Sequence, residues 1–186
     1  MNKLPNPQGK GLVPILNELQ QFKYAEVAPK SFEKISNEIF TALFVLESHF
    51  NFCPRPKQLY YLFKKGDKYF LSLISNKDWG EKRPYSDYIG ECQLHEDMAW
   101  TLNLNENLSK VILEDIKLKF EKYKKDLSRL DKVDDILPKY VDQISFYQRA
   151  LLWSLGQSLK ASMAFSGYLG KSVDEVFLLE QKNGPK

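Results

Sequence analysis

The sequence predicts an α+β fold: a three-stranded antiparallel β-meander covered by an N-terminal helix and followed by a C-terminal helical hairpin. Three observations lead there. Between residues 31 and 50 apolar side chains recur at the three-and-four spacing of a helix. Between 58 and 94 the period drops to two, and the runs become rich in Tyr, Phe, Leu and Ile. From 106 onward the helical period returns in two long stretches.

The elements follow in order. Residues 1–30 are an extended lead-in: Pro5, Pro7, Gly9, Gly11 and Pro14 interrupt the start, and "ILNELQQF" (15–22) predicts a short helix. Ser31 is an N-cap with Glu33 in the first turn, opening a helix over 31–50. Phe32, Ile35, Ile39, Leu43, Leu46 and Phe50 form its stripe, widened by Phe40, Phe44 and Val45. Pro54 and Pro56 end it. "QLYYLFKK" (58–65) and "KYFLSLIS" (68–75) flank Gly66-Asp67, which is a hairpin signal. Tyr69, Leu71 and Leu73 share one face of the second strand; Phe70, Ser72 and Ile74 share the other. A loop (76–87) leads to a third strand, "YIGECQL" (88–94). Three strands under a helix are about the least that is stable. Trp79 and Trp100 fall just after strand ends.

The hairpin (106–168) begins with Leu108, Ile112, Ile116, Phe120, Tyr123, Leu127 and Leu130 on one stripe. After a turn at 131–138, Val141, Ile144, Tyr147, Leu151, Leu155 and Leu159 line a second helix. Ser172 and Glu175 make a capping box for a last short helix. The predicted division is a lead-in (1–30), a helix-plus-meander module (31–104) and a helical region (105–186), all in a single compact unit.

The 186 residues are 43% hydrophobic and 13% aromatic, which suits a globular chain. The formal net charge of +3 does not call for nucleic acid. Arginine, the better phosphate fork, occurs only at 55, 83, 129 and 149. Two cysteines are no disulfide framework. No apolar run reaches the roughly 18 residues of a membrane span, and the Pro- and Gly-bearing start does not read as a signal or transit peptide. The expectation is a soluble intracellular protein.

Several patterns could carry chemistry. His49 and Cys53, with Cys92 and His95, have the composition of a tetrahedral zinc set. However, Cys92 and His95 sit three apart at a strand end and point to opposite faces, so two ordinary thiols and histidines are the better reading, and no metal or other cofactor is expected. Ser31-Phe32-Glu33-Lys34 matches S-x-x-K, but Ser31 is already a cap. No nucleophile elbow and no phosphate-binding glycine loop occurs. Asp78, Asp87, Glu91, Glu96 and Asp97 gather around the third strand, where solvated loop acids look the same as general acids. Lys64, Lys65 and Lys68 among aromatics resemble a single-strand platform. As a hairpin tip they supply too few charges for useful affinity. Ser154, Ser158, Ser162 and Ser166, with Gly156, Ala161, Ala164 and Gly167, form a ribbon of small residues. Such a ribbon suits close contact with another helix, here the one over 108–130, or with a second molecule.

The stretch "LYYLFKKGDKYFLSLISNKDWG", followed by "DYIGECQLHEDMAWT", resembles an uncharacterised domain family of bacteria and eukaryotes. That family includes the product of a human chromosome 1 open reading frame. The resemblance is carried by Pro56, Tyr60, Tyr61, Leu62, the run 69–74, Ser75, Trp79, Gly80, Gly90, Leu94, Asp97, Trp100 and Thr101. It covers residues 56–101 and the preceding helix more loosely. It implies no Cys or His at 92 and 95, and it brings no activity, cofactor or catalytic residue.

With no catalytic constellation, the expected function is that of a non-enzymatic interaction or scaffold protein, a subunit of a larger assembly. A protein partner or self-association is expected, without nucleic acid or membrane. Tyr60, Tyr61, Trp79, Gly80 and Trp100 are the candidate contact surface. The alternative is a small-molecule-binding protein or enzyme with a pocket between sheet and helix. A nucleic-acid-binding module comes third.

Overall fold

The computed structural model describes residues 27–80, 83–138 and 145–183. The predicted lead-in helix (15–22), residues 1–14, and Val141 and Ile144 lie outside them. The chain is α+β; the described residues form an antiparallel four-stranded sheet and four helices. In chain order these are α1 (Phe32–Leu46), β1 (Leu59–Lys65), β2 (Lys68–Ser72), β3 (Asp87–Leu94), β4 (Trp100–Leu104), α2 (Lys110–Leu127), α3 (Phe146–Ser166) and α4 (Val173–Asn183), with a 3₁₀ turn at Val133–Ile136.

Helix α1 starts as predicted: the Ser31 hydroxyl accepts from the Lys34 N–H at 3.2 Å. It ends four residues earlier than the apolar stripe suggests. His49 leaves the helix to bridge β2, donating to the Tyr69 carbonyl at 2.8 Å and accepting from the Leu71 N–H at 3.0 Å. The helix-end carbonyls are not left bare. Gln148 of α3 donates its Nε2 to the Leu46 and Ser48 carbonyls at 2.6 and 3.0 Å.

The sheet corrects the predicted three-stranded meander. Its order is β2-β1-β3-β4, so β3 pairs with β1 and not with β2. The physical reason is an occupied edge: His49 already satisfies the outer side of β2 at Tyr69 and Leu71. The chain after β2 therefore loops back to the open edge of β1. The sheet also gains a strand beyond the three expected, Trp100–Leu104, which pairs with β3. At Gly90 β4 comes so close that an added Cβ would sit 2.1 Å from the Asn103 carbonyl oxygen. Only glycine permits that approach.

Strand alternation sorts the side chains onto two faces. Tyr60, Leu62, Leu71, Cys92, Leu94 and Trp100 face α1 and belong to the main core with Ile35, Ile39 and Val45. A bulge, where Phe63 pairs with Tyr88 and skips Ile89, turns Ile89 into that core as well. Tyr61, Phe63, Phe70 and Tyr88 stand on the other face.

The predicted C-terminal helical hairpin is also corrected: α2 and α3 do not pair extensively with one another, and each finds its partner in α1. From α2, Phe120 and Tyr123 meet the Phe40 ring at 4.8 and 5.5 Å, and the Tyr123 hydroxyl donates to the Ser36 carbonyl. The serine ribbon of α3 does not receive α2. Its Ser162 hydroxyl donates to the Ala28 carbonyl at 2.7 Å, and Ser166 both donates to the Lys30 carbonyl and accepts from the Lys30 N–H. The small side chains let an extended segment, not a helix, lie against α3. The capping box before α4 forms as predicted, with Ser172 N–H to Glu175 at 2.7 Å and Glu175 N–H back to the Ser172 hydroxyl at 3.3 Å.

Candidate functional site

The structure does not bring the five candidate surface residues together. Tyr60 is fully buried on the α1 face; its hydroxyl accepts from the Arg55 N–H at 2.6 Å and its ring lies 5.8 Å from Trp100. Trp100 is 2% exposed. Both rings support the fold. Tyr61, Trp79 and Gly80 lie on the opposite side, Gly80 exposed at φ 62°. There Phe63, fully buried, is ringed by Tyr85 at 4.3 Å, Tyr88 at 5.3 Å, Phe70 at 5.4 Å and Trp79 at 6.3 Å. These aromatics fill space between the sheet and the loop after β2. They leave no ring-lined wall.

The four zinc candidates are scattered in role. Cys92 is buried in the core, where desolvation pushes its thiol up to about 12. Cys53 is exposed, His49 acts through its backbone, and the His95 ring contacts the Thr101 hydroxyl at 3.1 Å. Among the described residues no three His, Cys, Asp or Glu are grouped so as to hold a metal ion.

A cavity of about 340 Å³ lies between helix and sheet. Lys30, Lys34 and Glu38 form its helix side; His95, Asp97, Trp100 and Thr101 form its sheet side. At its heart the Lys30 Nζ holds Glu38 Oε2 at 2.6 Å and Asp97 Oδ2 at 2.7 Å. These charges come from three segments: the residue before the N-cap, α1, and the β3–β4 turn. None of the three side chains is more than 19% exposed. The turn is set locally: Met98 takes φ 67°, and Asp97 Oδ1 accepts from the Ala99 N–H at 3.1 Å.

One ammonium between two carboxylates leaves a surplus negative charge, and the protonation behaviour follows from it. Burial disfavours the Lys30 charge, but its hydrogen bonds to Asp97 and Glu38 outweigh this and hold its pKa above the ordinary value. For Glu38 burial wins over Lys30 and raises its pKa. Burial also opposes ionisation of Asp97, yet Lys30 and the Ala99 N–H together hold it below the ordinary value. Two carboxyls on one cation are thus pushed apart, the arrangement that suits one to carry a proton while the other stays ionised.

Sequence reasoning included Asp97 among loop acids but missed Lys30, Lys34, Glu38 and Thr101 as site residues. A signal for Glu38 was present. It stands three residues after Ile35 and four before Ala42, both fully buried, so a carboxylate occupies an apolar-stripe position and demands a cation.

A second feature is apolar. Around one junction, Phe32 N–H and the Tyr168 hydroxyl both donate to Glu180 Oε1, at 2.7 and 2.8 Å, while the Phe177 ring meets Phe32 edge-on at 6.0 Å. Along α3, α4 and the turn between them Phe165, Leu169, Phe177 and Leu178 are exposed, Phe165 at 64%.

Among the described residues no helix is long and apolar enough to cross a membrane. A family model described as a protein of unknown function (DUF2452) matches residues 27–119. The match reaches beyond the 56–101 that carried the resemblance, passes the predicted boundary at 104 and takes in the first half of α2. The whole lining of the 340 Å³ cavity lies inside it, whereas α3 and α4 lie outside. No solved structure matches the chain.

Proposed function

The chain belongs to the DUF2452 family, and from that premise we propose that it works by contact, as a non-enzymatic interaction or scaffold protein within a larger assembly. The observation that carries this reading is the junction of α1, α3 and α4. From there along α3, α4 and the turn between them four large apolar side chains, Phe165, Leu169, Phe177 and Leu178, are exposed, while the aromatic sheet keeps most of its rings inside. Apolar side chains clustered on a surface favour association, because covering them releases their hydration water. The chain is built as a family module, residues 27–119, to which α3 and α4 add the contact face. Tyr61, Trp79 and Gly80, on the loop-covered side of the sheet, provide a second and smaller contact area.

The test is co-purification at natural abundance followed by light scattering, comparing the natural chain with a Phe165→Glu, Phe177→Glu double variant. A stoichiometric partner, or a second copy, held by the natural chain and lost from a variant with an unchanged circular dichroism spectrum supports the reading. A natural chain that runs as a clean monomer without a partner counts against it.

A further inference from the structure

The two edges of the sheet are treated differently. On β2, the His49 backbone donates to the Tyr69 carbonyl and accepts from the Leu71 N–H. On β4 no described residue does the same. The bonds that frame the β3–β4 ladder run from the His95 N–H to the Ala99 carbonyl and from the Asn105 N–H to the Ile89 carbonyl. Bonded pairs alternate along an antiparallel ladder, so Thr101 and Asn103 turn their backbone groups toward β3, and Leu102 and Leu104 turn theirs outward. These outward groups have no hydrogen-bond partner among the described residues. The strand is reachable at this end: Asn103 is exposed on one face of the sheet and Leu104, 40% exposed, on the other. The open stretch stops at Trp100, which is buried. The usual guards of a bare edge are missing from Trp100–Leu104: it carries no charge and no proline, and its register with β3 is unbroken.

We propose that β4 takes up an extended segment of a partner protein as a fifth, antiparallel strand, with the side-chain order apolar–basic–apolar. The side chains beside the edge set that order. Leu102 and Leu104 share the α1 face with Trp100, so residues opposite them gain contact by being apolar. Asn103 points to the other face, beside Glu91 of β3, which is exposed and makes no ion pair within 4.0 Å among the described residues. A residue opposite Asn103 joins the same row, and a long cationic side chain there reaches across the short asparagine to the carboxylate. The open stretch is short, bounded by Trp100 and by the turn into α2. A lone segment fits it, whereas a second folded sheet would bring its own flanking elements. This surface is separate from the apolar residues of α3 and α4 and does not depend on their role.

The experiment follows the backbone amide resonances of Leu102 and Leu104 in the full-length protein. Three peptides are titrated: acetyl-Thr-Val-Lys-Val-Thr-amide, the same peptide with Glu in place of Lys, and the same peptide N-methylated at both valines. The first should shift both amides saturably and slow their exchange with solvent. The Glu peptide should bind about fivefold more weakly, the modest factor expected of an exposed ion pair. The N-methylated peptide keeps every side chain but lacks the two donors that face the Leu102 and Leu104 carbonyls, and should bind at least tenfold more weakly. Glu91→Gln should erase the preference for Lys over Glu while leaving the other amide resonances in place. Unmoved Leu102 and Leu104 amides at saturating peptide overturn the proposal, as does equal binding of the N-methylated peptide. So do amides that already resist exchange in the free protein, paired by a second copy or by the chain itself. A preference for Lys that survives Glu91→Gln overturns the basic position.

Discussion

The two faces of the sheet are closed by different means. On one, α1 lays down aliphatic side chains, Ile35, Ile39 and Val45, over Tyr60, Leu62 and Trp100. On the other, the loop after β2 covers Phe63 with Trp79 and Tyr85. A helix presents an apolar side chain every three or four residues and can close a face with branched aliphatics. A loop brings few side chains, so each must be large, and rings cover the most area per residue. The aromatic wealth of residues 60–88 is thus the signature of a sheet face closed by a loop. The helix face also carries a charged rim, at Lys30, Glu38 and Asp97, where α1 meets the β3–β4 turn.

This comparison can be broken or sharpened by substitution. The largest effect is expected at Trp100→Ala, where the indole touches both Tyr60 and the core: a loss of about 3–5 kcal/mol, read as a lower denaturant midpoint for the whole chain. Phe63→Ala empties an equally buried site but beneath a loop that can settle into the space. A loss near the lower end, about 3 kcal/mol, is expected. Hydrogen exchange should quicken in the described parts of the loop while α1 stays protected. If α1 loses protection equally, the two faces are one cooperative unit and the distinction fails.

The charged rim comes next. Lys30→Met leaves two partly buried carboxylates facing each other and should cost about 2–3 kcal/mol near neutral pH, less than a fully buried broken pair because Glu38 can take up a proton. Glu38→Gln should act oppositely, and its sign depends on pH. The folded-state pKa of Glu38 is raised, chiefly by burial. Its contribution is therefore fully present below its ordinary value of about 4.3 and is lost as pH rises through the raised value. Urea unfolding at pH 4 and pH 7 should show the variant gaining on the natural chain as pH rises. Asp97 is lowered, chiefly by Lys30 against burial, so its contribution is present above about 3.9 and fades only in stronger acid. A Glu38→Gln profile parallel to the natural one would mean that the rim is fully solvated. The smallest effect belongs to Lys119→Ala on the exposed face of α2, where the ammonium reaches Asp115 at 3.1 Å and the Tyr69 ring at 4.8 Å. About 0.5 kcal/mol is expected.

What the sequence shows and hides follows from range. The caps at Ser31 and Ser172, the hairpin at Gly66-Asp67 and the stripe of α1 are local signals and are legible. Strand β4 was legible as well: Trp100, Thr101, Leu102, Asn103 and Leu104 alternate at period two, but the run is short. The strand order was not legible, because it turns on His49 occupying the edge of β2, a contact twenty residues distant in sequence. The serine ribbon announced close packing but suggested the wrong partner, the helix over 108–130, where the extended segment at Ala28 and Lys30 lies instead. The cavity was half legible: Asp97 stood among the candidate acids and Glu38 broke an apolar stripe, but Lys30 sits in an extended segment with no periodicity to mark it.

The central claim is that the sheet's rings serve the fold and that the helices past residue 119 serve contact. The most direct measurement is the mass in solution of the natural chain and of the Phe165→Glu, Phe177→Glu variant, isolated gently and sized by light scattering. The account predicts a defined complex for the natural chain and a single folded copy for the variant. A natural chain that travels alone, or a variant that keeps its companion, contradicts it.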